Sequence, residues 1–99
     1  MSGFESFPLS PAIRKGVASS GYVRPFPIQA QAIGPLLERR NLIGQAKAGS
    51  GKTLAFGIPL VQSVDTSQGR VQALVLAPTR ELAVQITLEL QKIGSYTSV

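Results

Sequence analysis

Residues 46–53, Ala-Lys-Ala-Gly-Ser-Gly-Lys-Thr, place small residues, a lysine and a hydroxyl at the spacing needed to hold a chain of phosphates. A triphosphate requires several backbone amides converging on one concavity, and glycines such as Gly49 and Gly51 remove side chains that would block its approach. A helix opening at Lys52 adds its positive end to the same concavity. The Lys52 ammonium supplies a mobile cation for the β and γ phosphates, and the Thr53 hydroxyl can ligate magnesium. The strict form of this pattern starts with glycine, whereas here it starts with Ala46. The bland alternative is a glycine-serine turn before a helix. The strand expected ahead of the segment and the helix expected behind it favour phosphate binding.

Two further segments carry chemistry. In residues 21–29, Gly-Tyr-Val-Arg-Pro-Phe-Pro-Ile-Gln, the Gln29 amide offers one donor and one acceptor, the pair that satisfies an adenine edge. On these residues alone packing is the stronger reading: Gln29 is a polar residue of a first helical turn, Tyr22 and Phe26 are core or rim aromatics, and Phe4 is a packing residue. Pro78-Thr79-Arg80-Glu81-Leu82 stands where an apolar run gives way to a helix, the edge of an open α/β sheet at which ligands sit. Thr79 suits a helix cap and Glu81 the positive end of the dipole. Arg80 opposes that dipole at a cost of roughly some tenths of a kcal/mol, which points to a neighbouring anion, either a phosphodiester or a carboxylate.

Periodicity and punctuation supply the elements that position these residues. Ser10 followed by Pro11 starts a helix whose stripe is Leu9, Ile13 and Val17, stopped by Ser19, Ser20 and Gly21. A second helix is predicted over residues 28–39, with Ile28, Ala32, Ile33, Leu36 and Leu37 inward and Pro35 bending it. Residues 41–45 read as a short strand running into the glycine-rich loop, and a third helix runs from Gly51 towards Val64. Residues 65–70 are turn chemistry. The nearly continuous apolar run 71–77 predicts a strand covered on both faces. A fourth helix over residues 79–93 aligns Leu82, Ile86, Leu90 and Ile93 on one face and stops at Gly94. Two helices followed by a βαβα unit imply an α/β fold with parallel strands.

Ninety-nine residues allow one domain, and 43% hydrophobic against 15% charged residues describe a chain that packs. With no cysteine and no histidine, disulfide frameworks, zinc chemistry and serine-protease chemistry are excluded. No apolar run approaches the roughly 20 residues of a membrane span. Nor does the start resemble a secretion signal, so an intracellular protein is expected, with cytoplasm and nucleus undistinguished. Ten basic against five acidic residues give a net charge of +5, which weakly favours a polyanionic partner.

Together the three segments resemble the amino-terminal part of DEAD-box RNA helicases. Gly21-Tyr22-x-x-Pro25-x-x-Ile28-Gln29 is similar to the family's Q motif, with Phe4 seventeen residues before Gly21 at the place of its isolated upstream aromatic. Ala46-x-x-Gly49-Ser50-Gly51-Lys52-Thr53 is similar to motif I, where an initial alanine is normal; Ala48 stands where the family often has threonine. Pro78-Thr79-Arg80-Glu81-Leu82-Ala83-x-Gln85 resembles motif Ia. The resemblance implies an incomplete RecA-like P-loop NTPase domain over residues 1–99, with a Q-motif region at 1–29 and the βαβα unit at 41–99. It also implies further strands between the two read here, and ATP-driven binding and unwinding of RNA by two RecA-like domains that close on each other. By the same resemblance Gln29 would read adenine, Tyr22 would stack near it and Phe4 would support that loop. Ala46, Lys47, Ala48, Gly49, Ser50, Gly51, Lys52 and Thr53 would hold ATP or ADP with Mg2+. Pro78, Thr79 and Arg80 would touch the RNA sugar-phosphate backbone without reading sequence.

Phosphoryl transfer to water also needs a carboxylate for the metal and a group that orients the water. None of the acidic residues, Glu5, Glu38, Asp65, Glu81 and Glu89, follows an apolar strand, and no Asp-Glu-Ala-Asp tetrad occurs. The chain is therefore expected to be an amino-terminal fragment that binds ATP without turning it over, lacking the second domain. Two other readings stay open: a different P-loop NTPase, such as a DNA translocase or small-molecule kinase, and a non-catalytic RNA-binding module.

Overall fold

Each helix of the computed structural model, which describes residues 3–22, 24–47 and 51–99 apart from the Glu5 side chain, begins at a residue whose chemistry starts helices. Helix α1 spans Pro11–Ser19: the Ser10 hydroxyl accepts from the Ile13 amide at 3.3 Å, and Pro11 takes the first position, where its missing N–H costs nothing. Helix α2 spans Pro27–Leu37, α3 spans Lys52–Ser63 and α4 spans Arg80–Ile93. The Thr79 hydroxyl caps α4 by accepting from Leu82 N at 3.1 Å, and Gly94 follows its last residue.

Helix α2 stops two residues before the predicted end. Arg39 adopts φ 64°, and two bonds close the end: Arg39 N to Leu36 O at 3.0 Å and Arg40 N to Pro35 O at 3.1 Å. This left-handed closure is one that glycine makes without strain and an arginine makes at a cost. Arg39→Gly is therefore expected to stabilise the chain by about 1 kcal/mol, raising the melting temperature by roughly 4–8 °C for a domain of this size. A thermal melt followed by circular dichroism checks it; an unchanged or lower midpoint contradicts it.

Helix α3 is the centre of the molecule, packing against α1, α2 and α4. Its Leu54, Ile58 and Val61 join Phe4, Leu9, Ile13, Val17, Ile33 and Ile93 in one buried cluster. Phe4 enters that cluster from a short 3-10 turn, Phe4–Ser6, that sequence periodicity does not reveal. Polar ties hold the amino-terminal segment down: Ser10 N donates to Gln62 Oε1 of α3 at 3.0 Å, and the Arg14 guanidinium donates to Phe7 O and Leu9 O. Where α1 crosses α4, a Cβ on Gly16 would overlap the Ile93 carbonyl oxygen, so glycine is what lets the two backbones touch. Of the inward face predicted for α4, Ile86 and Ile93 are buried and Leu90 packs at the rim of the cluster. Leu82 is 37% exposed, because nothing among the described residues covers the first turns of that helix.

The strands expected at 41–45 and 71–77 are absent among the described residues, and the expectation of parallel strands is corrected accordingly. No backbone hydrogen bond outside the helices joins the two segments. Ile43 is fully exposed, and Val71, Leu74 and Leu76 are each at least 80% exposed. The physical reason lies in what a strand is: its hydrogen-bonding groups are satisfied by a neighbour, and two candidates that are not neighbours cannot pair. The apolar composition of 71–77 specifies burial but does not supply the surface that buries it. Between α3 and this run, the turn expected at 65–70 forms around Asp65, whose carboxylate accepts from Ser67 Oγ at 2.6 Å, Ser67 N at 3.0 Å and Gln68 Nε2 at 3.0 Å. Those hydrogen bonds, the Ser67 hydroxyl first, hold its carboxyl below the usual range. No helix among the described residues is long and apolar enough to cross a membrane.

Candidate phosphate-binding site

The entry to α3 is built on one backbone conformation. Gly51 takes φ 87°, in the left-handed region that side chains rarely adopt, and it carries no capping side chain over the helix start. The first bond of the helix runs from Ala55 N to Gly51 O at 3.3 Å, so the amides of residues 52–54 have no partner within the helix. No acidic residue occupies that first turn. Its first position instead holds exposed Lys52, a cation at the positive end of the helix dipole. Bare amides and a lysine on a left-handed glycine turn form an arrangement that an anion stabilises and a cation does not. Thr53 follows half-buried, with Ala46 half-buried and Lys47 exposed on the incoming side. Ala48, Gly49 and Ser50, the remaining members of the expected cradle, lie outside the described residues.

Gln29 reaches this site from the first turn of α2. It is the single buried polar side chain among the described residues, 2% exposed. Its Oε1 accepts from Phe26 N at 2.9 Å and its Nε2 donates to Gly51 O at 3.0 Å. One amide thus ties the start of α2 to the residue that opens α3, 22 positions away. An amide has two N–H groups and two acceptor lone pairs, so these two bonds engage one of each.

The three aromatics of this region separate. Phe4, at 5% exposure, belongs to the core. Tyr22 packs against the core cluster, and partial burial, with the Glu89 carboxylate second, raises its phenol above the ordinary range. The ring beside the Gly51 turn is that of Phe26, 49% exposed, whose Cδ2 stands 2.9 Å from the point a Gly51 Cβ would occupy. Sequence reasoning passed over Phe26 as a core or rim aromatic; the signal that could have singled it out is its place between Pro25 and Pro27 at a helix start.

Pro78, Thr79 and Arg80 are exposed at the start of α4. The Thr79 hydroxyl is committed to capping. Among the described residues no hydrogen bond or ion pair engages the Arg80 guanidinium, so this helix also begins with an exposed cation at its positive end.

The model of the DEAD/DEAH box helicase family matches residues 26–99. The DEAD-box ATP-dependent RNA helicase CshA of Geobacillus kaustophilus is 46% identical over 99 residues, covering all of this chain and 21% of the relative. CshA of Bacillus licheniformis is 48% identical over 91 residues, 92% of this chain and 19% of the relative. The chain therefore spans about a fifth of the length of these relatives. Among solved structures, Saccharomyces cerevisiae Dbp5 bound to RNA and ADP BeF3 superposes with a TM-score of 0.95 at 35% identity, over all of this chain and 26% of that one. A DEAD box protein from the hyperthermophile Methanococcus jannaschii gives 0.89 at 36% identity, over 94% and 26% of the two chains.

Proposed function

Because the chain belongs to the DEAD/DEAH box helicase family, we propose that its 99 residues form the nucleotide-gripping part of an ATP-dependent RNA helicase. They make up the amino-terminal part of a first RecA-like domain, with the Q-motif region at 1–29 and the phosphate-binding and motif Ia unit at 41–99. The observation that carries this reading is the start of α3: amides without intrahelical partners, Gly51 at φ 87° and Lys52 at the positive helix end. Dbp5, a structural relative, holds RNA and ADP BeF3.

In this reading residues 46–53 cradle the phosphates of ATP or ADP. The Lys52 ammonium offsets charge on the β and γ phosphates. The Thr53 hydroxyl is a hard oxygen donor suited to Mg2+, a metal that takes few protein ligands and fills its shell with waters and phosphate oxygens. Bound there, the metal would supply charge neutralisation at the phosphates. Gln29 reads the adenine edge with its amide, Tyr22 lies near the base and Phe4 supports the loop between them through the core. Pro78, Thr79 and Arg80 meet the RNA sugar-phosphate backbone, a contact that positions RNA without reading its sequence. The exposed Arg80 guanidinium supports this, since a phosphodiester relieves its conflict with the helix dipole. RNA-stimulated ATP hydrolysis and duplex unwinding belong to the whole intracellular protein and its second RecA-like domain. These 99 residues bind without turnover, since no acidic residue follows an apolar strand to hold the metal opposite Thr53.

Calorimetry with ADP and magnesium tests the cradle. The wild type binds, and Lys52→Ala weakens binding by on the order of a hundredfold, the loss of one charge-assisted contact to a phosphate. Equal binding by the two proteins would sink the proposal.

A further inference from the structure

We infer that residues 71–77 are the surface on which a second copy of this chain docks, by antiparallel strand pairing centred on Leu74, apart from the nucleotide site. The apolar composition of the run asks for cover on both faces. Yet Val71, Leu74 and Leu76 are at least 80% exposed, and among the described residues no backbone hydrogen bond engages any part of the run. From Leu74 to Ala77 the residues alternate between exposed and half-buried, which is the period of a strand. A row of unpaired N–H and C=O groups with that period is a template for another strand. Two anchors hold the run before anything pairs with it. At its start the Gln72 side chain exchanges two bonds with the Asp65 main chain, accepting from Asp65 N at 2.9 Å and donating to Asp65 O at 2.7 Å. Just past its end, Thr79 caps α4. Pairing a segment pinned at both ends costs less ordering than pairing a free one, so more of the contact energy is left as affinity.

The occupant follows from the residues of the run. Val-Gln-Ala-Leu-Val-Leu-Ala contains no charge, no proline and no glycine, the composition that pairs with copies of itself. Antiparallel pairing about Leu74 sets Leu74 opposite Leu74, Ala73 opposite Val75 and Val71 opposite Ala77, and it gathers Leu74 and Leu76 of both copies on one face. Flanking charge selects this direction. Parallel pairing in register would set Arg70 beside Arg70 and Arg80 beside Arg80. The antiparallel pair instead holds the two Arg70 residues about 27 Å apart, some three screening lengths at physiological salt. It brings Arg70 to the end where α4 of the second copy opens with Arg80 and Glu81, which together carry no net charge.

A ladder of this length buries less than the roughly 1,200 Å² of a small specific interface, so the expected dissociation constant is on the order of 10–100 μM. Sedimentation velocity of the 99-residue chain across that range should show monomer passing into dimer, with the amides of 71–77 gaining protection from deuterium exchange as it does. Leu74→Lys puts two ammonium groups opposite each other and is expected to weaken the dimer on the order of a hundredfold. Leu74→Glu does the same, and an equimolar mixture of the two restores association. Both variants should melt as the wild type does, since the Leu74 side chain is 80% exposed. Leu88→Lys, at a leucine 54% exposed on α4, makes the same change of charge and leaves the dimer intact. Equal loss in Leu74→Lys and Leu88→Lys, or no recovery in the mixture, overturns the inference, because association would then be apolar clumping without a register. So does a species that grows past the dimer, since an open stack of strands has no closing two-fold axis. A monomer throughout whose 71–77 amides are protected also overturns it, the cover then being a segment of its own chain. A monomer throughout with those amides unprotected overturns it outright.

Discussion

Gly51→Ala is expected to weaken magnesium ADP binding by about 5- to 150-fold, the equivalent of the roughly 1–3 kcal/mol that a non-glycine residue costs in a sparsely populated backbone region. At φ 87° an alanine is strained whatever space surrounds it, and here there is none: its Cβ would overlap Gln29 Nε2 and press on the Phe26 ring. The chain can relieve this only by letting the turn relax and Gln29 release the Gly51 carbonyl. Both changes turn the amides of residues 52–54 away from the concavity that an anion needs. Gly69→Ala is the matched control, because a Cβ there enters open space. Titration of both variants with magnesium ADP checks the expectation, and wild-type affinity in Gly51→Ala would contradict it.

Gly16→Ala is expected to destabilise the fold by about 2–3 kcal/mol, the upper part of the range for overpacked cores. The obstacle is the carbonyl group of Ile93, which is backbone and cannot rotate aside. To admit one methyl group α1 and α4 must move apart, loosening Ile13 and Val17 on one helix and Ile93 on the other, all of them core residues. The melting temperature should fall by on the order of 10 °C. Gly57→Ala provides the contrast. There the nearest atom is Leu90 Cδ2 at 2.7 Å, the end of a flexible side chain, so a smaller loss is consistent with the same physics. A Gly16→Ala midpoint equal to that of the wild type would show that the crossing can spread without cost.

Helix starts were the most legible part of the fold, because the residues that make them act locally. Ser10 and Pro11 open α1, Thr79 caps α4 and Gly51 precedes α3 as their types require. The end of α2 was less legible, since its left-handed closing residue is Arg39 and no glycine marks it. The strands failed for a non-local reason. The run 71–77 has strand composition, but composition states what a segment needs around it and says nothing of whether that surroundings is present. At the site, Gly51 and Lys52 were readable from spacing alone. The bond from Gln29 to the Gly51 carbonyl was not, because nothing in a first helical turn announces a partner 22 residues on. Phe26 escaped notice for a related reason: a lone aromatic reads as packing until its exposure and neighbours are known.

The placing of α3 between α1, α2 and α4 has a consequence for how the molecule comes apart. Amides near Ile58 can exchange their hydrogens with solvent only when all three surrounding helices let go, whereas those of the uncovered run 71–77 can exchange without disturbing any of them. Cooperativity is thus lodged in a single central rod, and protection against deuterium should fall away sharply at its edges rather than grade along the chain.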